Sequence, residues 1–268
     1  MPVNVDAQLK PVILTPGELV AALSLCGYDT IATSLLQEHS LVASDEEADR
    51  FLFQAETLLR ERGYFQESRP NFLPKGLESF IHVLVKSKRK CRCVSGVKKI
   101  VLHSLPQQNT LLQTFDGTEY SFLFLRSKKT VHDTIKSFFE TGYIPNTPFD
   151  ALQPIVMDSD SFNRLSTATP EAIRALMEES DASGQAFLRG LLHNRIALDN
   201  ITFLEADFVK DETHIDQVQF LLPQKEFVWH LHYGDIRTSD TIRLEPIAKS
   251  VYFERVLMVV DQWFTLDR

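Results

Sequence analysis

The side chains of this chain that could do chemistry fall into two short pairs and one basic run. Cys91 and Cys93 stand two residues apart, as do His230 and His232, so each pair would share one side of a strand. Thiolate sulfur and imidazole nitrogen are ligands that zinc prefers, but a closed tetrahedral site takes four of them. Beside the cysteines, only Cys26, His82 and His103 are candidates to complete a set. Beside the histidines, the candidates are Glu205, Asp207 and Asp235. Neither pair has a matching second pair. The residues therefore read more simply as reduced structural thiols, and as the polar side of a strand whose Phe227, Trp229, Leu231 and Tyr233 face the core. No metal and no other cofactor are expected.

The basic run is Lys86 to Lys99 (KSKRKCRCVSGVKK), with seven basic residues in fourteen. Next to a helical N-terminal region it could belong to a winged-helix-like nucleic-acid-binding regulator. A recognition helix should itself be basic, yet Tyr28 to His39 contains no Lys or Arg, and Ser44 to Gly63 opens with four acidic residues in six. A solvated loop and edge strand, whose lysines discourage sheet-to-sheet association, fits better. These residues thus argue against nucleic acid as a partner. Catalytic spacings are missing: there is no G-x-S-x-G, H-E-x-x-H, P-loop or G-x-G-x-x-G. The paired carboxylates Asp158/Asp160 and Glu178/Glu179 fall at predicted helix ends, where they favour the dipole or are solvated. The expectation is a protein that is not an enzyme.

Composition narrows the class further. Only 10 glycines in 268 residues argue against phosphate loops, whereas 19 phenylalanines supply a large core. No apolar run approaches the roughly 18–20 residues that cross a bilayer. The start (MPVNVDAQLKPVIL) lacks the basic and apolar regions of a secretory leader, and three cysteines give no disulfide framework. A cytoplasmic location is the expectation. The net charge of −8 is uneven, +1 over residues 1–145 and −9 over the remainder, an asymmetry able to orient a partner.

Helical spacing fills the first part of the chain. Thr15-Pro16 with Glu18 marks a helix start: a capping hydroxyl, a proline in the first turn and a carboxylate at the third position. Leu19, Leu23 and Cys26 share a face, and Gly27 closes the helix. Helices follow over Tyr28–His39, from Ser44 to Gly63, and from Pro74. Strands are predicted at Arg92–Val94, Lys99–Ser104, Leu111–Phe115 and Glu119–Arg126, the last two joined at Asp116-Gly117, a two-residue hairpin signal. A helix over Lys128–Glu140 ends this half. After a proline-rich linker over Thr141–Pro154 come helices at 169–179 and 183–196. Strands at 201–208, 215–222 and 226–233, a short edge strand at 241–244 and a last helix from Pro246 complete the chain. Two halves of one plan, residues 1–145 and 146–268, predict an α+β fold. A single antiparallel sheet would run through both halves, flanked by helical bundles in a pseudo-twofold layout.

The opening LTPGELVAALSLCGY, the R-G-Y-F at Arg62 to Phe65 and the doubled strand–strand–helix order resemble the EspG-like ESX (type VII) secretion-associated proteins. The resemblance implies a cytosolic adaptor or chaperone that binds a helical secretion substrate, shields its aggregation-prone tip and delivers it to the machinery. It carries over no individual binding residue. Polar residues alternating with apolar ones suggest which sheet positions would grip such a partner: His230 and His232, then Gln217 and Gln219 on the adjacent strand, and the Pro106–Asn109 loop with Gln107 and Gln108.

Overall fold

The computed structural model describes residues 11–42, 45–140, 149–207, 212–231 and 240–265. The expected boundary at 145/146, residues 141–148 of the expected linker, and His232 lie outside these residues. The fold is α+β. Its strands are β1 (Val12–Leu14), β2 (Arg89–Ser95), β3 (Lys98–Ser104), β4 (Thr110–Phe115), β5 (Tyr120–Leu125), β6 (Ile155–Asp158), β7 (Asp199–Asp207), β8 (Glu212–Pro223), β9 (Phe227–Leu231) and β10 (Thr241–Ala248). They are hydrogen-bonded in the order β1-β5-β4-β3-β2-β7-β8-β9-β10-β6. The connectivity is duplicated: in each half a first strand precedes the helices, four more strands follow, and that first strand pairs beside the last of the four.

By compactness the chain divides into two units, each described by itself. The first comprises Met1–Lys88, Leu102–Leu125 and Asp207–Glu212. It holds α1 (Pro16–Leu25), α2 (Asp29–Glu38), α3 (Asp45–Glu61) and α4 (Lys75–Lys86). The expected capping box forms at α1: the Glu18 N–H donates to Thr15 Oγ1 at 3.2 Å, and the Thr15 N–H donates to Glu18 Oε2 at 2.8 Å. Contrary to a one-faced amphipathic helix, α1 is buried along Leu19, Val20, Ala21, Ala22 and Leu23. Small residues at 21 and 22 let neighbouring helices approach on every side. Glu18 is buried as well, 1% exposed, and its charge is met by Arg62 at 2.6 Å. Two part-buried Tyr–His hydrogen bonds tie down α2, Tyr28 Oη with His82 Nδ1 at 2.5 Å and His39 Nε2 with Tyr120 Oη at 2.6 Å.

The second unit comprises Arg89–Val101, Arg126–Ala206 and Thr213–Arg268. Its helices are α5 (Lys128–Phe138), α6 (Ser159–Thr167), α7 (Pro170–Glu179), α8 (Ala182–His193) and α9 (Lys249–Trp263). One face of its strands is covered by α6–α8, through a core that includes Phe187, Leu222, Trp229, Leu231 and Leu244. The other lies beneath α9, where Trp263 meets Phe203 and Tyr252 meets His230.

Several elements differ from the sequence reading. β1 and β6 were not expected, being three and four residues long. The β4–β5 hairpin forms, but Phe115 pairs with Tyr120, so its loop is residues 116–119 rather than Asp-Gly alone. The Asp116 carboxylate accepts the N–H groups of Thr118 and Glu119 and so stabilises the longer loop. β2 starts at Arg89 and lies between β3 and β7, so the basic segment is not an edge strand. The strand expected at 241–244 runs on to Ala248 and is interior, and the last helix begins at Lys249 rather than Pro246. Pro246 is tolerated in β10 because pairing with β6 ends at Leu244, so no partner on that side needs its missing N–H.

Removing the Arg62 charge should leave Glu18 as an unpaired buried carboxylate. The Arg62→Met variant is expected to lose about 2–3 kcal/mol of stability in urea unfolding, since orphaning one partner of a buried pair costs the desolvation of the other. The double variant Glu18→Gln/Arg62→Met should recover part of that loss.

Candidate functional site

Three short helices of the second unit stand on caps supplied by the chain just before them. Asp158 accepts the Ser161 N–H at 2.7 Å, Thr169 the Ala172 N–H at 3.3 Å, and Asp181 the Gly184 N–H at 2.8 Å. Asp158 thus caps α6, and its lowered pKa follows from the hydrogen bonds Ser161 gives it. These caps fix where α6, α7 and α8 begin, and the helices leave a groove of about 640 Å³ between them and β6. Ile155, Met157, Leu165, Phe187 and Leu188 line its interior, Ala168, Ala172, Ala175 and Leu176 form a wall of mostly small side chains, and Arg164 and Glu179 are its charged members. A second cavity of about 220 Å³ shares Leu165 and Phe187 with it. Leu165 is the buried anchor of α6.

A groove of this size with an apolar lining suits the side chains of a docked segment. The wall matters chemically: alanines at 172 and 175 let a backbone come close, as a helix laid along α7 would require. The sequence held a trace of it. Ala172, Ile173, Ala175, Leu176 and Met177 make the apolar side of α7 too broad for a helix that buries one stripe. Only Ile173 of these is fully buried; Leu176, expected to face the core, is 43% exposed.

The sheet positions expected to bind lie on separate elements. Gln217 is exposed and Gln219 half-buried on β8, while Gln107 and Gln108 are exposed in the turn between β3 and β4. Those two adopt φ of 60° and 63°, a left-handed backbone seldom held by side-chain-bearing residues. His230 does not stand on an open face. It is half-buried with its ring 5.4 Å from that of Tyr252, because β9 is covered on both sides and Phe227, Val228, Trp229 and Leu231 are all buried. Cys91 and Cys93 are both fully buried, and the Cys93 pKa is raised by its hydrogen bond with Cys91 and by burial. Both effects oppose thiolate formation, hence metal binding and nucleophilic attack. Among the described residues no three His, Cys, Asp or Glu side chains are grouped to hold a metal ion.

One buried carboxylate has no part in the groove. Asp199, at the start of β7, is fully buried and accepts hydrogen bonds from Asn194 at 2.9 Å, from Ser95 and from the Gly96 N–H. Burial outweighs these donors and raises its pKa. It thereby anchors the β2–β3 turn to the start of β7.

No protein-family model matches the chain, and no curated protein matches its sequence.

The raised pKa of Asp199 gives a pH dependence of definite sign. From the ordinary value of 3.8 up to the raised one, the folded protein holds a proton that the unfolded chain has lost. Stability contributed by that proton is complete below the window and disappears as pH rises through it. The difference in urea midpoint between wild type and Asp199→Asn, followed from pH 3.5 to pH 7, should therefore shift in favour of the variant as pH increases. A difference that stays flat with pH would remove this assignment.

Proposed function

We propose that the protein is a non-catalytic, cytoplasmic adaptor or chaperone that takes a helical segment of a type VII (ESX-like) secretion substrate into the groove between β6 and α6–α8. The observation that carries the reading is the groove itself, about 640 Å³, apolar within and walled by small side chains. An amphipathic helix binds such a groove by inserting its apolar anchors, and recognition needs no reacting group. The resemblance of the opening segment and of the doubled plan to EspG-like proteins supports the same reading. So does the buried Cys93 thiol, whose raised pKa leaves it poorly suited to chemistry. No helix among the described residues is long and apolar enough to cross a membrane.

The apolar wall is where binding energy would concentrate, so the test fills it. Ala172 is exposed, and Ala172→Trp should leave the unfolding free energy in urea within about 0.5 kcal/mol of wild type. A type VII substrate from the same cell, co-expressed with the wild type, should co-purify as a stoichiometric complex. Its recovery with Ala172→Trp should fall at least tenfold. Equal recovery with the two proteins would move binding away from the groove, and no recovery with the wild type would end the reading.

A further inference from the structure

The pairing of β2 with β7 decides which basic residues of the 86–99 run are committed to the fold. Arg89 opposes Glu205, Cys91 opposes Phe203 and Cys93 opposes Ile201. This is the α9 face, where the Arg89 guanidinium lies 4.4 Å from the Trp263 ring centre and the two cysteines are fully buried. Strand alternation sends Lys90 and Arg92 to the opposite face, with Leu204 and Thr202 as their cross-strand neighbours. Both are half-buried.

Their surroundings leave the two charges unmatched. Among the described residues no carboxylate lies within 4.0 Å of either head group. Arg92 Nε is itself buried without an acceptor. Burial lowers the Lys90 pKa, with no opposing charge to raise it. Sheet protection does not account for them, since β2 is interior. A third donor stands nearby on β7: the Thr202 hydroxyl donates to Asn200 Oδ1 at 3.0 Å, which leaves the Asn200 amide N–H groups to donate elsewhere, beside Val94 on the same face.

We propose that Lys90, Arg92 and Asn200 form a site for carboxylate groups of an acidic peptide segment. The Arg92 guanidinium presents the paired donors that fit a carboxylate, and Lys90 adds a second charge. Half-burial strengthens the attraction relative to exposed lysines, because solvent screens it less. A nucleic-acid backbone is the poorer match. It needs an extended row of cations to neutralise a charge every ~1.7 Å, and this site offers two on a protein of net charge −8. That the acidic segment belongs to a protein partner rests on the adaptor reading, but the site is distinct from the groove and is tested without any substrate.

The test titrates full-length protein, ¹³C-labelled at lysine, with hexaglutamate at pH 7 and low salt, reading each lysine Cε signal. The Lys90 signal should move saturably and the Lys90 pKa should rise on binding, while that of the exposed Lys98 moves little. Lys90→Met and Arg92→Gln should each weaken binding at least tenfold, read for the first from backbone amide shifts, and Lys98→Gln less than twofold. Folding of each variant is checked by its urea midpoint. If a variant unfolds, the wild-type titration still decides. The site is overturned if Lys90 shows no saturable movement, if Lys98 responds equally, or if an oligothymidylate of equal charge acts at lower concentration. Hexaglutamate binding that persists when substrate capture fails would uphold this site and reject only the adaptor reading.

Discussion

The antiparallel pairing of β2 with β7 is the constraint from which the features of the second unit follow. Six residues of β2, Arg89 to Val94, are registered against Glu205 to Asn200. A slip of β2 by one residue would carry Cys91 and Cys93 out from beneath α9 and put Lys90 and Arg92 there instead. Burying two unpaired cations against Trp263 and Tyr252 would cost several kcal/mol, so composition alone makes the register nearly unambiguous. The Trp263 indole N–H donates to the Lys90 carbonyl at 3.2 Å and secures α9 to the same strand. Asp199 then holds the β2–β3 turn from the start of β7. One pairing thus separates a face that buries Cys91, Cys93, Ile201 and Phe203 beneath α9 from a face that carries Lys90 and Arg92.

How much of this was legible depended on whether the deciding interaction was local. The α1 capping box was readable because Thr15, Pro16 and Glu18 are neighbours, and the buried positions of α4 and α5 followed from a 3.6-residue period. The doubled strand order was readable too, since each half carries its own strands. β1 and β6 were not. Three or four residues have no periodicity of their own, and Val12–Leu14 becomes a strand only because Phe122, Ser121 and Tyr120 are there to pair with it. The placement of β2 within the sheet was hidden for the same reason. Its composition suggests an edge, but long-range pairing with β7 overrides that preference.

The positions expected to bind show the same division. His230 and His232 alternate with aromatic residues, a pattern that ordinarily means one wet face, and in an open sheet it would have meant that. Here α9 supplies a lid, and the slot beside Tyr252 receives His230 as a partly buried packing residue. The groove escaped notice for the converse reason. No residue lining it is unusual, and it exists because three short helices, each fixed by its own cap, leave a space that Leu165 and Phe187 do not fill. Alanines are poor at filling such space, and their presence on the outer side of α7 is meaningful only once α6 and α8 are placed around them.

The satisfied polar interactions and the unfilled space of the fold fall in different parts of the chain for a physical reason. The Glu18–Arg62 pair and the two Tyr–His hydrogen bonds are in the first unit and are already satisfied. Satisfied groups hold one arrangement and have little left to offer a ligand. The second unit keeps its unfilled capacity in two places, an apolar groove and a pair of unmatched cations. Each carries a cost in the unliganded protein: lost dispersion contacts around the groove, incomplete solvation around Lys90 and Arg92. A partner that offered apolar side chains and carboxylates together would relieve both costs, and neither could be relieved by rearrangement within α6–α8 or β2 without giving up the caps and the register that define the fold.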